Sequence, residues 1–209
     1  MLCIMDIETN KGRIFTADDL AGVDILLMTG ITTETLEDAV SLARIAGKSG
    51  IVTIGIPSHN IPPEIEDFQE FRKYADAVIF SRYKTERVSR RIVERISDLV
   101  NKSGFVNLDI EDVKSVFKNA GTVYFGEGSA KVCTEAAKKA AEMLGDIKGA
   151  KCVLMSITTP SEIRHGELVD ATRIIEGKFS EGVSMIWGHV INEDSKGTAS
   201  VAVFAAMFD

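Results

Sequence analysis

Apolar residues along this chain follow two patterns, short continuous runs and longer stretches with helical spacing. Unbroken apolar runs are typical of strands buried on both faces of a parallel sheet. In the amino-terminal part such runs occupy positions 2–7, 24–29, 51–56 and 77–80. Helical spacing marks positions 33–48 and 64–74 between the later runs. The order predicts an open parallel sheet with right-handed helical crossovers.

Two smaller elements are predicted between the first two runs. The turn residues at 10–12 predict that 13–15 return as a hairpin partner of the first strand. A short helix is predicted to begin near Thr16 or Asp18 and to end by Gly22.

A long amphipathic helix at 84–103 divides the chain, with further helices up to residue 119 and at 130–144 and 161–179. Strands are predicted at 121–127, 151–158, 184–191 and 199–208. Because only a polar turn joins the last two strands, we expect them to be adjacent. The prediction is an α/β protein with three parts: a reduced Rossmann-like domain at 1–83, a connecting helix at 84–103 and an α/β domain with a mixed sheet at 104–209.

Basic side chains are concentrated around the beginning of the long helix. We expect them to form a solvent-facing surface paired with Glu86 and Glu94, since helical neighbours of opposite charge stabilise each other. The alternative is a patch that binds a partner. The residues are Arg82, Lys84, Arg87, Arg90, Arg91 and Arg95.

Composition narrows the function classes. The chain has 209 residues and a formal net charge of -7, and an acidic balance argues against broad binding to nucleic acid or anionic membranes. No apolar run approaches the length of a membrane span, and the amino-terminal run is too short for a secretory signal. Three widely separated cysteines, Cys3, Cys133 and Cys152, lack zinc-site spacing. We expect a cytoplasmic protein without a metal.

The stretch at 104–113, here called the 104–113 loop, holds the most suggestive polar residues. It presents Asn107, Asp109 and Asp112 between two predicted helices. Asp109 and Asp112 are three residues apart, so they would share one face of a first helical turn. One interpretation is a helix N-cap with a supporting acid. The other is an acid pair that polarises a water or holds a metal ion.

Segment 98–117 reads DLVNKSGFVNLDIEDVKSVF, and it resembles the end of the central helix and the synergy loop of FtsZ, in the tubulin/FtsZ superfamily. Segments 149–158, 185–191 and 199–208 are similar to later strands of that family, in the same order. The resemblance implies a truncated tubulin/FtsZ-like fold. In that family the synergy loop enters the GTP site of the neighbouring subunit in a filament.

The resemblance assigns roles to three residues, in trans only. Asp109 and Asp112 would polarise the attacking water or organise a cation at a partner's GTP, and Asn107 would orient the site. Phosphoryl transfer depends mainly on positioning and charge stabilisation, so a donated carboxylate pair is a chemically reasonable contribution.

The family's own phosphate-binding loop is degenerate here. Where FtsZ has a glycine-rich loop, this chain reads Gly30-Ile-Thr-Thr-Glu-Thr, and only Gly30, Thr32 and Thr33 correspond. The acids at 34, 37 and 38 would repel a triphosphate. Residues 81–82 are Ser-Arg instead of the family's Asn-Asp pair near the guanine. We therefore expect neither bound nucleotide nor any other cofactor.

Three functions follow as hypotheses. The first is an FtsZ-like protein that caps or modulates FtsZ-type filaments, or stimulates GTP hydrolysis by a partner in trans. The second is a self-associating structural paralogue without a catalytic role. The third is a cell-division GTPase with a rebuilt pocket, or another enzyme. This last class ranks lowest because His59, His165 and His189 are scattered and pair with no nucleophile in the sequence pattern.

Overall fold

Eight strands and six helices make up the computed structural model, which describes residues 1–58, 61–62, 64–83, 85–160, 165–195 and 197–208. The strands are β1 (Leu2–Asp6), β2 (Ile25–Ile31), β3 (Val52–Pro57), β4 (Ala77–Ser81), β5 (Gly121–Ala130), β6 (Cys152–Thr159), β7 (Ser184–Ile191) and β8 (Ala199–Ala206). The helices are α1 (Leu36–Lys48), α2 (Glu66–Tyr74), α3 (Glu86–Asn101), α4 (Ile110–Phe117), α5 (Cys133–Leu144) and α6 (His165–Glu176).

All eight strands belong to one mixed sheet with the order β1-β2-β3-β4-β5-β8-β6-β7. Strands β1 to β5 are parallel to one another. Strand β8 lies antiparallel between β5 and β6, and β7 is parallel to β6. The α/β class, the parallel amino-terminal sheet and the mixed carboxy-terminal sheet are confirmed. The sheet is continuous across the β4–β5 pair, so the division at 1–83, 84–103 and 104–209 stays a prediction.

Two predicted strand neighbours are wrong. Strands β7 and β8 are separated by β6, because every residue of β8 is buried and a strand apolar on both faces is stable inside a sheet. Strand β7 is only partly buried and takes the edge. Residues 13–15 form no strand. Phe15 packs into the core instead, beside a 3-10 helix at Asp18–Leu20.

Helices cover both faces of the sheet. Helices α3 and α4 pack on one face through apolar residues that include Ile92, Ile96 and Phe117. Helices α1 and α2 cover the other face over β1 to β4, and α5 and α6 cover it over the remaining strands. The alternation of side chains along each strand supplies both cores. The result is a three-layer structure in which the connecting helix α3 leads directly into the 104–113 loop.

Candidate functional site

The acids of the 104–113 loop form the start of helix α4. The Asp109 carboxylate accepts the Asp112 backbone N–H at 2.8 Å, and the Asp112 carboxylate accepts the Asp109 backbone N–H at 3.0 Å. This reciprocal pair is a capping box, which satisfies backbone donors that the first helical turn leaves without intrahelical partners. The N-cap interpretation is therefore confirmed. The box uses one oxygen of each carboxylate and directs both acids to the same end of the helix.

The segment before the cap runs along the outer edge of β7. The His189 N–H donates to the Val106 carbonyl at 2.8 Å, and the Ile191 N–H donates to the Ser103 carbonyl at 3.2 Å. These bonds continue the sheet by a short stretch of backbone. The loop is thus attached to a strand, which fixes its position more firmly than a connection between two helices would.

Gly104 permits a very close approach between the loop and β7. A Cβ atom added at Gly104 would lie 1.8 Å from the carbonyl oxygen of His189, so no larger residue fits without moving the backbone. The Gly104 N–H donates to the Asn107 Oδ1 at 2.8 Å. The Asn107 amide oxygen therefore closes the turn of the loop, while the residue itself remains exposed.

His189 anchors the loop from inside the protein. Its side chain is buried, its Nδ1 accepts the Phe105 N–H at 3.1 Å, and its Nε2 lies 2.7 Å from the Thr159 hydroxyl. Because Nδ1 accepts, the proton of the neutral ring is on Nε2. Burial lowers the pKa of His189, which favours that neutral form. No local sequence pattern links residue 189 to residue 105, so this contact could not be predicted from the sequence.

The loop presents a compact exposed surface. Phe105 is 60% exposed and stacks on the His189 ring with centroids 5.3 Å apart. Asn107 and Asp109 are exposed and Asp112 is half-buried. The structure thus brings the three predicted site residues together on one loop and adds an aromatic side chain beside them. Local hydrogen bonds hold Asn107, Asp109 and Asp112, whereas Phe105 is held by His189. The arrangement presents carboxylate oxygens at the protein surface.

The loop at 30–33, which the resemblance identified as a degenerate phosphate-binding loop and which is called the degenerate loop below, lies at the start of helix α1. Gly30 has a positive φ of 65°, Thr32 is half-buried and Thr33 is exposed. The buried Thr35, which sequence reasoning did not single out, binds the loop together. Its hydroxyl donates to the Gly30 carbonyl at 2.8 Å and accepts the Thr32 N–H at 2.9 Å. The Thr35 hydroxyl therefore satisfies one backbone donor and one backbone acceptor of this loop.

Residues 8–13 of the chain lie across the beginning of α1. The Lys11 ammonium pairs with the Glu34 carboxylate at 3.0 Å, and the Gly12 N–H donates to the Asp38 carboxylate at 2.9 Å. The helix dipole would favour an anion in front of this helix terminus. The carboxylates of Glu34 and Asp38 lie there instead, bound by residues 11 and 12.

Asp6 closes the same region from the side of β1. A Cβ added at Gly30 would lie 2.8 Å from the Asp6 Oδ1, so the carboxylate lies directly against this backbone. The Thr9 N–H and the Thr29 hydroxyl donate to Asp6 at 2.9 Å and 3.1 Å. These hydrogen bonds lower the pKa of Asp6, and the bond from the Thr9 backbone has the largest effect. An ionised carboxylate at this position disfavours a phosphate.

A polar cleft of about 880 Å³ separates α3 from the ends of β5, β6 and β8. Glu127 lies in it and accepts hydrogen bonds from Arg91 at 2.6 Å and 2.9 Å and from Arg95 at 2.7 Å. Arg95 also donates to Thr158 at 3.1 Å and to Ser200 at 2.8 Å. The expectation that the α3 arginines all face solvent is therefore wrong for Arg95, which is 5% exposed.

The remaining expected pairs on α3 are present. Arg90 binds Glu86 at 2.7 Å, and Arg91 lies 3.6 Å from Glu94. Glu127 lies 32 or more residues from Arg91 and Arg95 in the sequence, so no local pattern identifies it as their partner.

Other kinds of site are missing from the described part of the chain. There, no three histidine, cysteine, aspartate or glutamate side chains cluster in a way that could hold a metal ion. No described helix is long and apolar enough to span a membrane. His59 lies outside the described residues, as does the side chain of His165.

Comparison with known proteins supports the fold. Residues 120–209 match the family model described as the FtsZ family, C-terminal domain. The empty FtsZ dimer of M. jannaschii is similar in structure with a TM-score of 0.75 and 19% identity, covering 90% of this chain and 65% of that chain.

Two further solved structures have a similar fold. CetZ1 from Haloferax volcanii, a GDP-bound monomer, matches with a TM-score of 0.65 and 17% identity over 91% of this chain and 67% of its own. TubZ of Bacillus thuringiensis serovar israelensis, in GDP-form protofilaments, matches with a TM-score of 0.60 and 15% identity, covering 96% of this chain and 66% of that chain. The chain therefore spans about two thirds of their length. Residues 120–209 are similar to an FtsZ-type C-terminal domain, and the chain shares the fold of these FtsZ, CetZ and TubZ structures.

Proposed function

We propose that this protein docks through its 104–113 loop on the nucleotide-bearing face of an FtsZ-type subunit, and that it does not bind GTP in a pocket of its own. It would cap or modulate filaments, and its acids would act on a partner's GTP. The observation that carries the proposal is an asymmetry. The loop that would enter a partner is exposed and held by hydrogen bonds. In contrast, residues 11 and 12 of the chain contact the acids at the start of α1, where the resemblance would put a phosphate.

The loop has the chemistry that such a contact needs. One oxygen of each carboxylate accepts a hydrogen bond in the capping box. The other oxygens, Asp109 Oδ2 and Asp112 Oδ1, would contact a water or cation on a partner. Pre-organised polar groups lose little freedom on binding. Phe105, exposed beside them, supplies apolar contact area of the kind enriched at protein interfaces.

The amino-terminal region supports the other half of the proposal. Glu34 and Asp38 at the start of α1 and Asp6 beside Gly30 put three carboxylates around the degenerate loop. Bringing a triphosphate there would require displacing residues 8–13 and would place like charges together. The similar FtsZ of M. jannaschii forms a dimer, and the similar TubZ forms protofilaments. Such assemblies are the kind of partner proposed here.

Sedimentation of an FtsZ with this protein tests the docking. We expect substoichiometric wild-type protein to lower the amount of FtsZ that sediments with GTP. Asp109→Asn should lose this effect, because it removes the charge while an asparagine still caps the helix. The matched control is Asp170→Asn on α6, an exposed acid remote in sequence, which should behave as wild type. Equal inertness of wild type and Asp109→Asn would refute the proposal.

A titration with fluorescent GTP tests the second half separately. We expect no saturable binding to this protein at micromolar concentration. Micromolar affinity would favour the rebuilt-pocket alternative, in which the protein is itself a GTPase. The self-associating alternative predicts normal FtsZ sedimentation with every variant, together with light scattering by this protein alone.

A further inference from the structure

His189 contacts three consecutive residues of the 104–113 loop. Its backbone N–H donates to the Val106 carbonyl, its Nδ1 accepts the Phe105 N–H at 3.1 Å, and its ring stacks on the Phe105 ring. A Cβ added at Gly104 would lie 2.9 Å from the same Nδ1, so the loop backbone covers the ring closely. One side chain of β7 therefore sets the path of the loop and the orientation of its exposed aromatic residue.

Phe105 is the large apolar side chain that the loop exposes. It is 60% exposed and lies two residues before Asn107 and four before Asp109. Aromatic side chains are enriched among the residues that dominate protein contacts. A side chain that is already ordered loses less conformational freedom on binding. The His189 ring orders Phe105 twice, through its backbone amide and through its aromatic ring.

We propose that His189 is the positioning residue of the 104–113 loop, and that its neutral ring holds Phe105 in the conformation that contacts an FtsZ-type partner. This inference rests on the proposed function. It adds a residue that lies far from the loop in the sequence, and it makes Phe105 the apolar anchor of the contact. The partner surface opposite Phe105 would then be apolar, next to the place where the loop acids act.

The hydrogen bonds of His189 explain why the ring must be neutral. Its Nε2–H donates to the hydroxyl of Thr159, which is fully buried, at 2.7 Å. This leaves Nδ1 as the acceptor for the Phe105 N–H. Protonation would put a second donor at Nδ1, facing the Phe105 N–H, and would place a charge in a buried site. Both effects would release Phe105 from the ring.

Burial is the cause of the lowered pKa of His189. Strand β6 brings Thr159 to the ring and contains no charged residue, and residues 161–164 before α6 lie outside the described residues. The charged groups on the other adjoining elements are bound elsewhere or exposed: Asp98 of α3 binds Lys102, Asp109 and Asp112 form the capping box, Glu167 of α6 lies near Cys133, and Glu193 and Asp194 are exposed. Among the described residues, no carboxylate therefore stabilises the protonated ring.

Nuclear magnetic resonance of the protein alone tests the positioning without a partner. As the pH falls from about 7.5 to about 5, the Phe105 amide signal should shift with the same midpoint as the His189 ring, below the ordinary value of 6.5. The Asp112 amide is the matched control, because its N–H binds the Asp109 carboxylate, and it should not follow this midpoint. A Phe105 amide signal that stays constant while His189 titrates would overturn the proposal.

Sedimentation of an FtsZ with this protein tests the effect on docking. At about pH 7.5, His189→Leu should raise the concentration that gives half of the effect by about tenfold, because it removes the acceptor for the Phe105 N–H. His189→Asn should restore docking relative to His189→Leu, since its Oδ1 is an acceptor in the place of Nδ1. Circular dichroism checks that both variants are folded.

The pH profile of docking separates positioning from a general loss of stability. As the pH falls to about 5, wild type should lose docking relative to His189→Asn, whose side chain does not titrate. Asp170→Asn should follow wild type. Inertness of wild type at every pH would refute the proposed function and this inference together. Docking by wild type with the same pH profile as His189→Asn would refute this inference alone.

Discussion

Glu127 joins helix α3 to strand β5 through two arginines. Its carboxylate neutralises Arg95, which is nearly buried, and it binds Arg91 through both oxygens. The hydrogen bond from Arg91 to Glu127 is also the main cause of the raised pKa of Arg91. A buried ion pair adds modest stability while intact, but removal of one partner leaves an uncompensated charge.

Replacement of Glu127 by alanine should therefore cost about 3–5 kcal/mol of unfolding free energy, measured in urea. The control is Glu94→Ala, which removes another acid near Arg91. Since the Glu94 side chain is 49% exposed, its removal should change stability by no more than about 0.5 kcal/mol. Equal effects of the two variants would show that the Glu127 network has no special role.

His189 gives the protein a pH dependence of definite sign. Burial lowers its pKa in the folded state below the ordinary value of 6.5, so the unfolded chain takes up a proton first as pH falls. The contribution to stability is complete above about pH 6.5 and is lost progressively below it. Wild type should therefore lose more unfolding free energy than His189→Asn between pH 7 and pH 5. Parallel losses in the two proteins would show that His189 does not set this dependence.

At the scale of elements, the junction between the 104–113 loop and β7 depends on Gly104. A methyl group there would meet the His189 carbonyl oxygen at 1.8 Å, and forced overpacking of this kind costs about 1–3 kcal/mol. Gly104→Ala should lower the unfolding free energy by that amount and reduce hydrogen-exchange protection of the His189 and Ile191 amides. Gly47→Ala in α1, where a Cβ has open space, should raise the unfolding free energy by up to about 1 kcal/mol and leave the protection of the two amides unchanged.

The elements also show what the sequence could and could not predict. Apolar runs and helical spacing predicted every described strand and helix to within a few residues, and the Asp109–Asp112 spacing predicted the cap. The order of the strands in the sheet was harder to predict, because β7 and β8 are close in sequence but each pairs with β6 instead of with the other. The partners of Arg95 and His189 are distant in sequence, so no local pattern identified them.

At the scale of the whole molecule, one continuous sheet connects two regions with opposite properties. The degenerate loop of α1 lies at the carboxyl end of β2, and the 104–113 loop lies beside β7, at the far end of the strand order. One region carries carboxylates where an anion would bind, and the other exposes carboxylates that could meet a partner. In the proposed function, the acids of the 104–113 loop act on a nucleotide held by another subunit.

The GTP turnover rate of an FtsZ at fixed concentration, measured as this protein is added, tests that claim without an intermediate step. We expect the turnover rate to change with added wild type and to stay constant with added Asp109→Asn, while the protein alone releases no phosphate. Turnover that is the same with wild type, with Asp109→Asn and with buffer, or phosphate release by this protein alone, would contradict the claim.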